Sequence, residues 1–487
     1  MKNDIKIDRN TVFNSFIWKT LERVLTQGIN LAVQVVLARL LLTEVFGSLA
    51  LIVSITTFAN IFVQSGLATS IIQKQDLDEL DIATVFTVSL GIAAILYIIL
   101  FILAPVISNF YQILELKWAL RVLALILFLN SIYSVENALL SRQMKFKQLL
   151  KRSMIAIPIA GVLSISLAYL GYGIWALVAF SLTNMLVTVL VLSIGTNIKL
   201  KFGFSLSRAK QIYSFSGKIL IANLITGSHD AIRTMVIGKV YTSSDLAYYD
   251  KAYTYAGYIS DLARDSIGGV LLPAFSRSQN ALDELRRMAR KSVSMSAFFM
   301  LPILVGFAMV ARPVVLVLLT SKWESSILFL VVFCFLRIPT ILKNVDFQVY
   351  YALGKSEINL IYCIAFCVIN IISLLVSVRY GVIYVAIAAT ITEYLSYVVI
   401  VLLSSRIYGY SVKDRFLDLF KPMLNSAVMG LSVWAIGFLS LSIIPLLICQ
   451  VTVGIVVYLT MCLLTREKNL KLLIDLLKVK MGKHNTK

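Results

Sequence analysis

Apolar runs of roughly twenty residues, separated by short polar turns, recur along the whole 487-residue chain. A helix rises 1.5 Å per residue and needs ~20 apolar residues to cross a hydrocarbon core of ~30 Å. Fourteen stretches meet that length, centred near residues 26, 58, 94, 130, 161, 184, 228, 260, 304, 338, 369, 393, 431 and 455. None has the period-two alternation of a membrane barrel strand. The pattern predicts an all-α polytopic membrane protein with about 14 transmembrane helices.

The runs also repeat. Ala38-Arg39-Leu40 leading to Phe46-Gly47 has a counterpart in Gly238-Lys239-Val240 leading to Leu246-Ala247. Phe16-Ile17-Trp18-Lys19 answers to Phe215-Ser216-Gly217-Lys218, and Gly171-Tyr172-Gly173-Ile174-Trp175 to Arg379-Tyr380-Gly381-Val382-Ile383-Tyr384. Each match is short, but their common order and similar offset define an internal repeat of six helices. Six is even, so both copies enter the membrane in the same direction, as in parallel-repeat transporters. The expected organisation is an N-lobe over 1–208, a C-lobe over 209–406, two further helices over 407–465 and a basic amphipathic cytosolic tail over 466–487. In that tail Leu470, Leu473, Ile474, Leu477 and Met481 share one face, suited to an anionic leaflet. The charged stretch from Ala281 to Lys291 reads as a second interfacial helix.

Composition sharpens this picture. Apolar residues make up 59% of the chain and charged ones 14%, far from the balance of a soluble domain. The net charge of +20 is distributed by side rather than gathered into a nucleic-acid patch. The termini and even-numbered loops hold Arg142, Lys145, Lys147, Lys151, Arg152, Lys199, Lys201, Arg277, Arg286, Arg287, Arg290 and Lys413 among others. The odd loops hold Arg39, Lys117, Lys239, Lys322 and Arg379. By the positive-inside rule both termini are cytosolic. One even loop, Lys74 to Asp81, is acidic and departs from the trend. The five cysteines all fall inside apolar segments and read as small apolar fillers.

Charges inside spans are expensive, at roughly 3 kcal/mol each at the centre of a lipid-facing helix. They concentrate in helices one, seven and eight, which carry Lys19, Glu22 and Arg23, then Lys218, Asp230 and Arg233, then Asp250, Lys251, Asp261, Arg264 and Asp265. These helices must face one another, an interface or a water-filled cavity. Lys19 and Arg23 lie on one face at i, i+4, and Lys218 takes the repeat-equivalent place of Lys19. A cleft with such faces suits an anionic, phosphate-bearing substrate, held by Lys19, Arg23, Lys218, Arg233, Lys251 and Arg264. Lys19 with Glu22, Asp230 with Arg233, and Asp261 with Arg264 are i, i+3 neighbours that could instead neutralise each other. Asp230, Asp261 and Glu393 are candidates for H+ or Na+ coupling. Arg121, Glu136, Arg337, Lys343 and Asp346 are further ionisable residues within spans. Tyr248, Tyr253, Tyr255 and Tyr258 are candidates for substrate specificity or for packing. No phosphate loop is formed at Gly354-Lys355-Ser356, because Val349 stands where its first glycine belongs. No metal-ligand or nucleophile motif occurs, so neither a metal, a cofactor nor an enzymatic activity is expected.

The run Gly238-Lys239-Val240 through Leu246-Ala247-Tyr248-Tyr249-Asp250-Lys251-Ala252-Tyr253 to Leu272-Pro273-Ala274-Phe275-Ser276-Arg277 resembles the central signature of Wzx-type polysaccharide flippases. So do Ala38-Arg39-Leu40-Leu41 to Phe46-Gly47, Ser216-Gly217 to Asp230, and Tyr351-Ala352-Leu353-Gly354-Lys355. The likeness is to the colanic-acid-exporter branch and weakens after about residue 405. Thr43-Glu44 departs from the small or proline-containing turn frequent in the family. The resemblance implies a member of the multidrug/oligosaccharidyl-lipid/polysaccharide exporter superfamily working by alternating access. It implies a polyprenyl-pyrophosphate-linked oligosaccharide as substrate, carried across the bacterial inner membrane for surface polysaccharide assembly. Membrane lipids and a polysaccharide polymerase complex are the implied partners. The rival expectation is a cation-coupled exporter of small amphipathic compounds on the same fold.

Overall fold

The computed structural model describes residues 9–64, 70–71, 74, 77–143, 146–196 and 200–472. Within some helices the side chains of 9–17, 19–20, 146, 195–196, 211–216, 218–219, 222, 226 and 262–270 are outside that description. The described chain is helical. In order the helices are α1 (Arg9–Leu40), α2 (Thr43–Gln64), α3 (Glu79–Tyr111), α4 (Leu114–Leu123), α5 (Ile126–Arg142), α6 (Phe146–Tyr169), α7 (Ile174–Thr196) and α8 (Leu206–Val240). They continue as α9 (Ser243–Arg277), α10 (Leu282–Met309), α11 (Ala311–Leu319), α12 (Ser326–Ala352), α13 (Ser356–Ser377), α14 (Val382–Tyr408), α15 (Val412–Ile436) and α16 (Ile443–Leu464).

All fourteen predicted centres fall inside these helices, with α4 and α5 together forming one span. Among the described residues eleven helices are long and apolar enough to cross a membrane. The long helices outside that set are α1, α8 and α9, the three whose charges the sequence singles out. Lipid explains the outward faces of the others. On α3, Ile95, Ile98, Ile102 and Val106 are all more than half exposed along one stripe. Such a stripe is stable against hydrocarbon, not water. The protein is a polytopic helical membrane protein.

Local chemistry sets the helix ends. Asp78 and Asp81 form a reciprocal capping box at the start of α3: the Asp81 amide donates to Asp78 Oδ1 at 2.8 Å and the Asp78 amide to Asp81 Oδ2 at 3.2 Å. The repeat motifs lie at equivalent turns. Gly171 and Gly173, with φ of +83° and +50°, precede α7, and Gly381, with φ of +133°, precedes α14. Side chains resist such angles, which explains the shared glycine.

The chain packs as two compact units, Met1–Asp250 and Lys251–Lys487. In the first, α6 lies against both α1 and α7, and α2 lies against α8. The α2–α8 seam is made by small residues. A Cβ on Gly238 of α8 would lie 2.5 Å from a Leu51 methyl of α2, and one on Gly227 of α8 would lie 2.3 Å from the tip of Ile61. Helix α2 also meets the start of α9, where a Cβ on Gly47 would lie 1.7 Å from the Ser243 carbonyl oxygen. In the second unit α10 packs on α12 and α15, α12 on α14, and α15 on α16. Its core gathers Phe275, Leu285, Ala289, Val293, Tyr350, Tyr408 and Tyr410.

That core corrects one expectation. The stretch 281–291 is not a separate interfacial helix, because Leu282–Met309 is continuous and fully buries Leu285 and Ala289. Its apolar face has a protein partner, so it has no need of lipid. Most of the predicted amphipathic face of the tail lies past residue 472, outside the described residues.

Candidate functional site

The polar loops of the first unit sort by parity. Lys201 Nζ is 2.8 Å from Glu79 Oε2, and Arg208 bridges Asp78 and Asp81, the latter at 3.0 Å. Lys74 also pairs with Asp81 at 2.7 Å, and Arg142 donates to the carbonyls of Ile71 and Lys74. The second, fourth and sixth loops therefore meet on one side. The acidic loop that departs from the charge trend is the counterpart of its basic neighbours. The Arg208 guanidinium holds the Asp78 carboxyl down at about 2, helped by the Asp81 amide. At the other helix ends Thr43 and Ser244 hydroxyls are 3.0 Å apart, Tyr111 donates to the Met235 carbonyl at 3.3 Å, and Lys239 donates to that of Phe110. The first, third and seventh loops share the opposite side.

Of the predicted cationic residues, Lys19, Lys218 and Arg264 lie on α1, α8 and α9, with side chains outside the described residues. Arg23 is half-buried on α1, beside Glu22. Glu22 reaches α6, where Arg152 Nη2 is 3.9 Å away and Ser153 Oγ donates at 3.5 Å. On α8, Arg233 is buried and joined to Asp230 at 2.9 Å, with its guanidinium 5.6 Å from the centre of the Tyr249 ring. The i, i+3 spacing thus places a predicted binding residue and a predicted coupling residue in one ion pair. Asp230 remains more than half exposed, so the pair has a wet side.

In the second unit Lys251 and Asp261 are half-buried on α9. Arg337 of α12 packs into the same helix. It donates to the Tyr253 carbonyl at 3.1 Å and stacks 4.2 Å from that tyrosine's ring centre, so Tyr253 packs against protein. A Cβ on Gly257 would lie 2.8 Å from the Arg337 Nη2, so only glycine admits this approach without a shift. Glu393 of α14, the third coupling candidate, meets Lys343 at 2.7 Å and accepts from Thr340 at 2.7 Å. Lys343 is buried and also donates to Tyr362 and Ser396.

A larger cluster was missed in the sequence. Arg415 of α15 makes a two-pronged bond to Asp346 of α12, at 2.9 and 2.6 Å, with both residues buried. Ser404 and Tyr408 donate to the same carboxylate. Next to it, Arg290 of α10 pairs with Asp418 and Asp414, and Tyr410 donates to Asp418 at 2.8 Å. Near these groups the same helices line a half-open apolar pocket of about 520 Å³, formed by Leu301, Met309, Pro339, Tyr397, Met423 and Leu431 among others. A hydrocarbon chain fits such walls; a sugar does not.

The charged helices α1, α8 and α9, the repeat turns and the two-sided loop clusters define a polytopic transporter-like fold. The chain belongs to the polysaccharide biosynthesis protein family, whose signature matches residues 36–328. It is similar to the succinoglycan biosynthesis transport protein ExoT of Rhizobium meliloti (strain 1021), with 27% identity over 66% of this chain and 65% of that one. It is likewise similar to the lipopolysaccharide biosynthesis protein WzxC of Escherichia coli (strain K12), at 23% identity over 65% of each chain. The matched region thus spans about 65% of the length of these relatives. The fold is shared with the lipid II flippase MurJ in an inward closed conformation, with a TM-score of 0.77 and 17% identity over 93% of this chain and 99% of that one.

Proposed function

We propose that this protein flips a polyprenyl-pyrophosphate-linked oligosaccharide repeat unit from the cytosolic to the outer leaflet of the bacterial inner membrane. It would do so by alternating access, in the assembly of a surface polysaccharide. The observation that carries the reading is that α1, α8 and α9, the long helices with several charged residues inside them, lead the two sequence repeats in a chain of the polysaccharide biosynthesis family. A carrier of a charged, sugar-bearing lipid needs polar helices of this kind, whereas a passive membrane anchor does not.

The proposed anion site consists of Lys19 and Arg23 on α1, Lys218 and Arg233 on α8, and Lys251 and Arg264 on α9. Lysine supplies a mobile point charge and arginine a fork matched to phosphate oxygens. Asp230 keeps Arg233 in place and half neutralised, so a pyrophosphate arriving there exchanges one anionic partner for another. The apolar pocket of the second unit would take part of the prenyl chain. The moving parts are the repeat lobes 1–208 and 209–406, flanked by 407–465 and the tail 466–487, with both termini cytosolic. H+ or Na+ coupling through Asp230, Asp261 or Glu393 belongs to the same proposal, as does contact with a polymerase complex. The work is transport, without covalent chemistry.

The test is leaflet translocation of a polyprenyl-pyrophosphate oligosaccharide by purified protein in liposomes, beside Lys19→Ala and Lys218→Ala. Movement that depends on the protein and falls about tenfold or more in either variant is expected, since a lost charge-assisted contact is worth ~1.5–3 kcal/mol. No movement across several glycans with ion gradients imposed, together with export of small cationic drugs, would overturn the reading in favour of a small-molecule exporter.

A further inference from the structure

The first unit holds a buried carboxyl group for which neither ion pairing nor the proposed anion site accounts. Glu136 lies in the last turns of α5 and is fully buried. Its Oε1 accepts a hydrogen bond from the Ser193 hydroxyl of α7. Its Oε2 is equally buried and has no hydrogen-bond partner. One helix turn earlier on α5, Tyr133 presents its ring to Arg152 of α6, whose guanidinium carbon is 4.8 Å from the ring centre. Arg152 is itself buried, and its Nη1 also has no partner, while its Nη2 is held only loosely, 3.9 Å from Glu22 of α1. One polar layer therefore contains an acceptor without a donor and a cationic donor without an acceptor.

We propose that Glu136 is a proton-binding site, loaded in this arrangement and emptied when Arg152 transfers from Glu22 to the Glu136 carboxylate. A buried carboxylate with one oxygen unsolvated is far costlier than the same group carrying a proton. A metal ion is a poor alternative occupant. Hard cations need several oxygen ligands, the Arg152 guanidinium repels them, and among the described residues no three acidic, histidine or cysteine side chains converge. A proton needs one oxygen.

The surroundings leave Arg152 as the group that can exchange with it, since the other cations of α6, Lys147 and Lys151, are exposed. Helix α7 has no ionisable residue, and that of α2, Glu44, lies at the opposite end of its helix. On α3, Asp81 is taken by Lys74 and Arg208, Glu79 is joined to Lys201, Tyr97 packs on Phe128, and Tyr111 bonds the Met235 carbonyl. On α5 itself Tyr133 donates to Asn137, and Arg142 is engaged by backbone carbonyls. On α1 the counter-ion is Glu22, which retains some exposure and can be rehydrated when Arg152 leaves it. In the exchange the Glu136 O–H bond breaks, the proton passes to water, the arginine keeps its charge, and the new pair is neutral. Proton occupancy is thereby tied to the packing of α1, α5 and α6. This assignment does not depend on which molecule is carried, because the proton is its readout.

Infrared spectroscopy of the purified full-length protein tests it. Wild-type minus Glu136→Gln spectra near neutral pH should show a protonated-carboxyl stretch that shifts in D2O. Carboxylate stretches in its place overturn the assignment. Alkaline-minus-neutral spectra of the wild type should show loss of the same band, and Arg152→Gln should raise its proton affinity about tenfold or more, the scale of a removed neighbouring cation. An unchanged midpoint in Arg152→Gln overturns the exchange. Because this second comparison uses wild type and Arg152→Gln, it stands even if Glu136→Gln folds poorly.

Discussion

Asp346 and Arg415 are almost wholly shielded from solvent, and each is held by the other and by hydroxyl groups. Such a pair adds little net stability over an apolar pair of the same shape, but removing one member strands the other. Arg415→Leu should therefore destabilise the protein by ~3–5 kcal/mol, while Arg415→Leu with Asp346→Leu recovers a large part of that loss. Denaturant unfolding in detergent measures both; additive losses in the double variant would show that the two residues are uncoupled. At this scale the sequence was only half legible. Asp346, Lys343 and Glu393 are recognisable as costly charges inside apolar runs. Their partners are not, because pairing across helices leaves no trace in spacing. Arg415 lies well before the apolar run centred near 431, because α15 begins earlier than that run suggests. Asp230 with Arg233 was readable since both lie on one helix, three residues apart.

Helix α2 meets α8 and the start of α9 at glycines, and three glycine positions rank the consequences of adding a methyl group. At Gly47 a methyl group would run into the Ser243 backbone, which cannot rotate aside. At Gly227 it would meet the tip of Ile61, at 2.3 Å, a side chain able to change rotamer. At Gly28 it would meet nothing within 4 Å. Gly47→Ala should cost the most, with overpacking typically ~1–3 kcal/mol or more, and Gly227→Ala less. Gly28→Ala should be neutral or stabilising by up to ~1 kcal/mol, since alanine is the better helix former. Thermal unfolding of the three variants in one detergent checks the order, and a Gly47→Ala protein as stable as Gly28→Ala would refute the close approach of α2 to the start of α9. Helix positions were legible because length and hydropathy impose them. These close approaches were not, although Phe46-Gly47 and Gly238 were already visible as repeat motifs. A glycine's purpose is set by what lies opposite it.

At the scale of the whole molecule the loops carry the topology. The positive-inside reading rests on an asymmetry of lysine and arginine to which Lys74–Asp81 stood as the exception. The ion pairs remove that exception. Asp78, Glu79 and Asp81 balance Arg208, Lys201 and Lys74, so the acidic loop belongs beside the basic ones. Even loops meet even loops in the first unit, and in the second Arg290, Asp414 and Asp418 join the loops after α9 and α14. Parity is thus a property of the packing as well as of the charge count, and the proposed cytosolic side is the one that carries most of the lysines and arginines. The side chain of Lys201 on an even loop and Tyr380 on an odd loop are each about two-thirds exposed or more. In a background without the five native cysteines, Lys201→Cys should react with a membrane-impermeant maleimide only after the inner membrane is opened. Tyr380→Cys should react in intact spheroplasts. The reverse pattern would place the basic loops outside and the termini with them, and the direction of transport proposed here would have to be reversed. Labelling of both positions from the same side would instead break the parity itself, because an even and an odd loop must be separated by an odd number of spans, here the five helices α8, α9, α10, α12 and α13.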